Sequence, residues 1–324
     1  MTPDTTANAA AHTTADATAE TTANPAPSLP AEPPGLRTWL DQLLQQHDTQ
    51  PAAVAAALAQ RAPALPADAE GAEALRLAEH VLLAHLADVP GLQAFVDALP
   101  APLGDAPATA PSLQRLHWAL ATLTGQPGPA LPDAPRWRAL QNVVLAMAAT
   151  GRSSEAAALM LADEPTALAQ GQSDAGKACA AAANNVASHL QTGPRGDAAR
   201  DALMLQAATL ARRAWASAGG WMQVERADYR LALCHAVLGQ GAEALAHARQ
   251  CLAACVAGGE AAGEAADAVE HFFAHEALVR AHHAAGDAQA AAAATQRMHT
   301  LLADIPEADG LRAWCADVLA DLPR

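Results

Sequence analysis

Isoleucine is all but missing from this 324-residue chain: Ile305 stands alone, and thirteen valines complete a thin β-branched supply. Aromatic residues amount to 3%. Strands draw heavily on both classes, so a large sheet is excluded. Lysine is equally scarce, with Lys177 the single example, and the net charge is −15. Nucleic-acid affinity comes mainly from many cationic phosphate contacts, so DNA, RNA and anionic membrane are not expected partners. No run of eighteen strongly apolar residues occurs, because Asn, Gln, His or charge interrupts the alanine-rich stretches, and no membrane span is expected. Residues 1 to 35 contain neither Lys nor Arg, which excludes the basic start of a secretory signal. Five cysteines, Cys179, Cys234, Cys251, Cys255 and Cys315, are an odd number at irregular spacing. They read as buried reduced thiols of a cytoplasmic protein.

What the chain does have is alanine and leucine, within an apolar fraction of 52%. Alanine heads the helix propensity scale, so the expected class is all-α. Residues 1–35, rich in Thr, Ala, Asp and Pro, are expected to form a disordered tail, since their burial cannot offset the entropy of ordering. Proline then divides the rest. Eight of 22 prolines lie from Pro100 to Pro135, and none lies between Pro194 and Pro306. Proline breaks helix interiors, which gives an N-terminal helical region over 36–100, a Pro-rich connection with one short helix over 101–135, and a long helical region over 136–324. Leu36, Trp39, Leu40, Leu43 and Leu44 make one apolar helix face, and Leu75, Ala78, Leu82 and Leu86 another. Gly and Asp clusters at 193–197, 219–220, 239–241, 258–259 and 286–287 punctuate the second half. They predict helices near 174–192, 197–218, 221–238, 242–257, 262–285, 288–304 and 309–321, joined by turns short enough to make neighbours antiparallel.

These helices carry an internal echo. Val186-Ala187 with Leu190, Leu231-Ala232 with His235, and Leu278-Val279 with His282 recur 45 and 47 residues apart. The last two are followed by a turn glycine, Gly239 or Gly286, and then by a small residue, Ala244 or Ala291. This order of large, small and turn positions resembles the tetratricopeptide repeat. The segment around Asn184, Asn185, Val186 and Ala187 resembles the Asn-Asn-Leu-Ala helix of the longer-period repeats in kinesin-light-chain-type proteins. A weaker unit starts at Asn142, with Gly151 as its turn and Ala156 after it. The period exceeds the usual 34 residues, and His or Leu stands at several aromatic positions. The resemblance implies an α-solenoid of antiparallel helix hairpins whose first helices line a concave groove that holds a peptide or partner helix. Its groove face would carry Asn184, Asn185, Ser188 and Gln191 from one unit, Arg226 and Tyr229 from the next, and Glu276, Arg280 and His283 from the last. An asparagine amide offers donor and acceptor together, which suits the backbone of an extended guest.

Arg195, Arg200, Arg212, Arg213, Arg226 and Arg230 fall in one short window, a candidate anion dock or a set of solvated helix faces. Catalytic signatures fail. Gly171, Gly176 and Lys177 spell the start of a phosphate loop, but Ala178 replaces the Mg²⁺-binding hydroxyl and no strand precedes it. No Gly-x-Ser-x-Gly elbow and no Cys-x-x-Cys, His-Glu-x-x-His or Glu-x-x-His pair occurs, so a metal would need two helices to converge, as His271 and His275 with His235 or Cys251. His247, Cys251 and Cys255 share a helix face, as do Asp267, His271 and His275, yet residues eight apart on one helix lie about 12 Å apart and cannot reach one ion. The expectation is therefore a cytoplasmic, non-catalytic adaptor without cofactor or metal, whose partner is a protein, a peptide or a second copy of the chain. The alternative is an all-helical sensor of a small molecule or metal that uses the His and Cys residues of 234–283.

Overall fold

The computed structural model describes residues 35–262, 268–307 and 310–323. The expected tail, apart from Gly35, lies outside them. The described residues are overwhelmingly helical and contain no strand. They divide into two compact units at Leu161/Ala162.

The N-terminal unit opens with α1 (Leu36–Gln46) and α2 (Pro51–Arg61). Next, α3 (Ala69–Glu79) runs directly into a π-helical turn, His80–His85. It continues through α4 (Val89–Asp97), the single turn α5 (Pro102–Asp105), α6 (Ala110–Thr124), α7 (Asp133–Ala149) and α8 (Ser153–Leu161). The apolar faces read from the sequence are inside: Trp39, Leu40, Leu43, Leu75, Ala78 and Leu82 are buried, while Leu44 sits at the exposed rim. Prolines open α2, α4, α5 and α6, where the missing N–H has no helical partner to lose. Asp68 and Asp88 accept backbone N–H groups at the starts of α3 and α4.

The short helix expected in the Pro-rich stretch is α6. The boundary drawn after residue 135 falls elsewhere, however, because α7 and α8 belong to the N-terminal unit, where α7 packs on α6 and on the π-helical turn. Scarcity of proline marks where a helix can run, not which core it joins.

The C-terminal unit holds α9 (Glu164–Ala169), α10 (Asp174–Thr192), α11 (Ala198–Ala218), α12 (Trp221–Val237), α13 (Gly241–Ala262), α14 (Ala268–Ala284), α15 (Ala288–Asp304) and α16 (Leu311–Ala320). From α10 onward each starts within two residues of its expected place except α14: the helix expected from 262 begins at Ala268, residue 262 belongs to α13, and 263–267 lie outside the described residues. Gly239 and Gly286 turn the chain with φ of +70° and +76°, a region in which a Cβ is strained. Helices pack as α10 on α11, α12 on α13 and α14 on α15, and α12 also touches α10 and α14. Small residues make these approaches close: Ala232, Ala244, Ala248 and Ala277 are fully buried around Phe272, Met298 and Ile305.

Candidate functional site

The residues expected to line a groove lie on α10, α12 and α14, the three helices that touch in series. On α10 the core face is Ala182, Ala183, Val186, Ala187 and Leu190, all buried. The opposite stripe, Asn184, Asn185, Ser188 and Gln191, is half-buried. Asn184, Ser188 and Gln191 stack because i, i+4 and i+7 positions share a helix face, and Asn185 flanks them three residues before Ser188.

A polar ladder joins that stripe to the next helices. The Arg230 guanidinium of α12 donates to the Gln191 side-chain oxygen of α10. Arg230 also lies over the ring of Tyr229, 5.8 Å from its centroid. The Tyr229 hydroxyl donates to Glu276 Oε2 of α14 at 2.8 Å, and Arg280 Nε donates to Glu276 Oε1 at 2.8 Å. Arg226 pairs with Glu270. Gln191, Arg226, Tyr229, Glu276 and Arg280 are thus brought onto three adjacent helices, and His283 lies exposed one turn beyond Arg280. Tyr229 and Glu276 differ from a wall of contact residues. They are buried against each other and do not present a surface to a guest. Burial and the Glu276 carboxylate push the Tyr229 hydroxyl well above its ordinary pKa, and it stays a neutral donor. The middle of α12, Ala227 to Cys234, is buried without a break, which confines any open face to α10 and to the ends of the ladder.

The arginine window is occupied from within. Arg195 pairs with Asp201 at 2.9 Å, Arg212 with Asp228 at 2.8 Å, Arg213 with Glu164 and Arg226 with Glu270. Those ion pairs and the Arg230 bond to Gln191 give five of the six arginines partners on neighbouring helix faces, while Arg200 packs its guanidinium against Gly193. The phosphate-loop spelling has a helical cause as well. α9 precedes it, Ser173 caps α10 through the Gly176 N–H, and a Cβ at Gly176 would meet the Gly171 carbonyl oxygen.

Among the described residues, the His and Cys residues of 234–283 form no group of three with ligand atoms within 4.8 Å of one another. His235 stacks on His247 with ring centroids 5.6 Å apart, and His247 Nδ1 lies 3.0 Å from Asp228 Oδ1. Cys251 Sγ donates to Glu225 Oε1 at 2.7 Å inside the core. Among the described residues, one group of three has ligand atoms all within 4.8 Å of one another, and it sits in the N-terminal unit: His47, His80 and His85. None of the three stands at a recognisable metal-ligand spacing in the sequence. The five-residue spacing of His80 and His85 hides the pair, because on a regular α-helix such residues point about 140° apart. A Glu-His-x-x-x-x-His string at 79–85 carries no signal unless the turn is known to be π-helical.

No protein-family model, no curated protein and no solved structure matches the chain.

Proposed function

We propose that the C-terminal unit is a non-catalytic adaptor, built as a short tetratricopeptide-like stack, that holds a peptide or helix of another protein along α10. One observation carries the reading: the first helices of three successive hairpins adjoin one another. Nothing comparable joins α11 to α13 or α13 to α15 among the described residues. Hairpins stacked in that way curve toward their first helices, and in this reading the half-buried stripe of Asn184, Asn185, Ser188 and Gln191 is the part of that inner side that α10 offers to a guest. The amide and hydroxyl side chains of Asn184, Asn185, Ser188 and Gln191 suit a guest backbone, which offers N–H and C=O groups in alternation. The ladder through Arg230, Tyr229 and Glu276 ties α10 to α12 and α14, and Arg226, Arg280 and His283 stand at its ends.

Site-specific photocrosslinking tests the reading. A benzophenone side chain at Ser188 captures a defined protein from the native host in proportion to its abundance, and one at the exposed Arg249 of α13 does not. The Asn184→Ala, Asn185→Ala, Arg226→Ala triple variant loses the same adduct while keeping its helical content. Equal capture from positions 188 and 249, or capture unmoved by the triple variant, rejects α10 as the docking face.

A further inference from the structure

We infer that His47, His80 and His85, joined by Asp48, form a binding site for a zinc-class divalent cation. His47 ends α1, and His80 and His85 are the first and last residues of the π-helical turn. That turn does the assembling. Its wider winding brings positions five apart to one face, so His80 Nε2 and His85 Nε2 stand 3.1 Å apart. Ligand nitrogens around a tetrahedral ion with bonds of about 2.0 to 2.1 Å stand about 3.3 Å apart. The pair therefore already spans one edge of such a site. Asp48 Oδ1 lies 3.5 Å from His47 Nε2 and 3.6 Å from His85 Nε2, which places a carboxylate beside two of the three imidazoles. Three imidazoles and one carboxylate match the ligand preferences of zinc and its neighbours better than those of calcium or magnesium.

The tautomers follow from the surrounding partners. Glu79 is buried and takes Arg115 Nη2 on its Oε1 at 2.8 Å, as a carboxylate that can only accept. Asn142 must therefore turn its amide nitrogen to Glu79, at 2.9 Å, and its oxygen to His80 Nδ1, at 3.1 Å. An acceptor there requires His80 to carry its proton on Nδ1, which leaves the Nε2 lone pair facing His85. The Leu44 carbonyl, 2.6 Å from His47 Nδ1, fixes His47 in the same tautomer. Ligand histidines in metal sites are held in this way, through the ring nitrogen away from the ion. The backbone agrees. Ala87, two residues past the π-helical turn, has φ of +49° and is the one non-glycine with positive φ among the described residues. Strain and π-turns both concentrate at functional sites. With side-chain exposures of 18% for His47 and 15% for His85, the point is reachable from solvent yet walled. A bound cation clips the end of α1 to the π-helical turn.

The test uses untagged full-length chain, stripped with a chelator and dialysed against Zn²⁺ or Co²⁺. The expected result is about one metal per chain, with the visible d–d absorption of a tetrahedral Co²⁺ complex. His47→Ala and the His80→Ala, His85→Ala double variant lose that stoichiometric binding, whereas His271→Ala, His275→Ala retains it. Asn142→Ala keeps the ligands but weakens Zn²⁺ on the order of ten- to a hundredfold, as a positioning residue should. X-ray absorption of the zinc-loaded wild type needs no variant to fold, and it should read imidazole and oxygen neighbours only. Absence of stoichiometric metal, binding that survives both histidine variants, or sulfur in the zinc shell overturns the assignment.

Discussion

At the scale of single residues, the C-terminal core holds an acid that its sequence does not announce. Glu225 is 1% exposed, bonded by the Cys251 thiol, with Cys255 and Glu270 nearby. Burial, reinforced by Cys255 and Glu270 and opposed by the Cys251 hydrogen bond, raises its pKa from 4.5 to about 9. Below the unfolded value both states hold the proton. Between about 4.5 and about 9 the unfolded chain has released it and the folded chain keeps it, so this residue makes stability fall as pH rises through that window. The slope is at most about 1.4 kcal/mol per pH unit. Glu225→Gln, which keeps an acceptor for Cys251, should flatten the decline in urea midpoint between pH 5 and pH 8; wild-type and variant curves that run parallel would remove Glu225 as the cause. The cysteines were legible and the acid was not. Cys is a residue type that favours the interior, and all five are buried, with Cys179 and Cys234 raised to about 12 by burial. Native chain should accordingly leave all five thiols unreacted with Ellman's reagent at pH 8, and urea should release them together. Rapid modification of any one in the folded protein contradicts its placement.

At the scale of elements, punctuation carried most of the fold. Gly239 and Gly286 were expected to end helices, and each takes positive φ between the paired helices it joins. Replacing either with alanine should cost about 1 kcal/mol, the strain of a Cβ in the left-handed region, read from the denaturant midpoint. Gly241 is different in kind. A Cβ on it would lie 2.5 Å from Ala285 Cα and 2.6 Å from Ala285 N, where the chain leaves α14. Backbone cannot swing aside as a flexible side chain can, so Gly241→Ala should destabilise more than Gly239→Ala, by roughly 1 to 3 kcal/mol. Equal losses at 239 and 241 would mean that α13 and α14 separate easily. What punctuation could not reveal was the π-helical turn. α3 continues into it through Glu79-His80 with no glycine, proline or cap to mark the change. The widening is a tertiary outcome, shared with the Arg115 and Asn142 partners that arrive from 36 and 63 residues away, and the histidine trio stayed invisible for that reason.

At the scale of the whole molecule, each compact unit is organised around a helix buried on every side. In the N-terminal unit Asn142 to Ala148 of α7 is buried without interruption, and in the C-terminal unit Ala227 to Cys234 of α12 is. A helix enclosed all round needs apolar residues on every face or internal partners for its polar ones. α7 meets the condition with Val143, Val144, Leu145 and Met147, and gives Asn142 to Glu79. α12 meets it with Leu231, Leu233 and Cys234, and gives Asp228 to Arg212, Tyr229 to Glu276 and Arg230 to Gln191. Opening either stretch breaks packing in every direction, so its amides exchange only when the unit as a whole unfolds. Native-state hydrogen exchange should find the slowest amides at 142–148 and 227–234, with opening free energies at the global value for each unit, while α1 and α16, each packed along one side, exchange sooner through local opening. If 227–234 exchanged as fast as α16, α12 would not be the centre of its unit, and the rigid support on which the docking proposal rests would be lost with it.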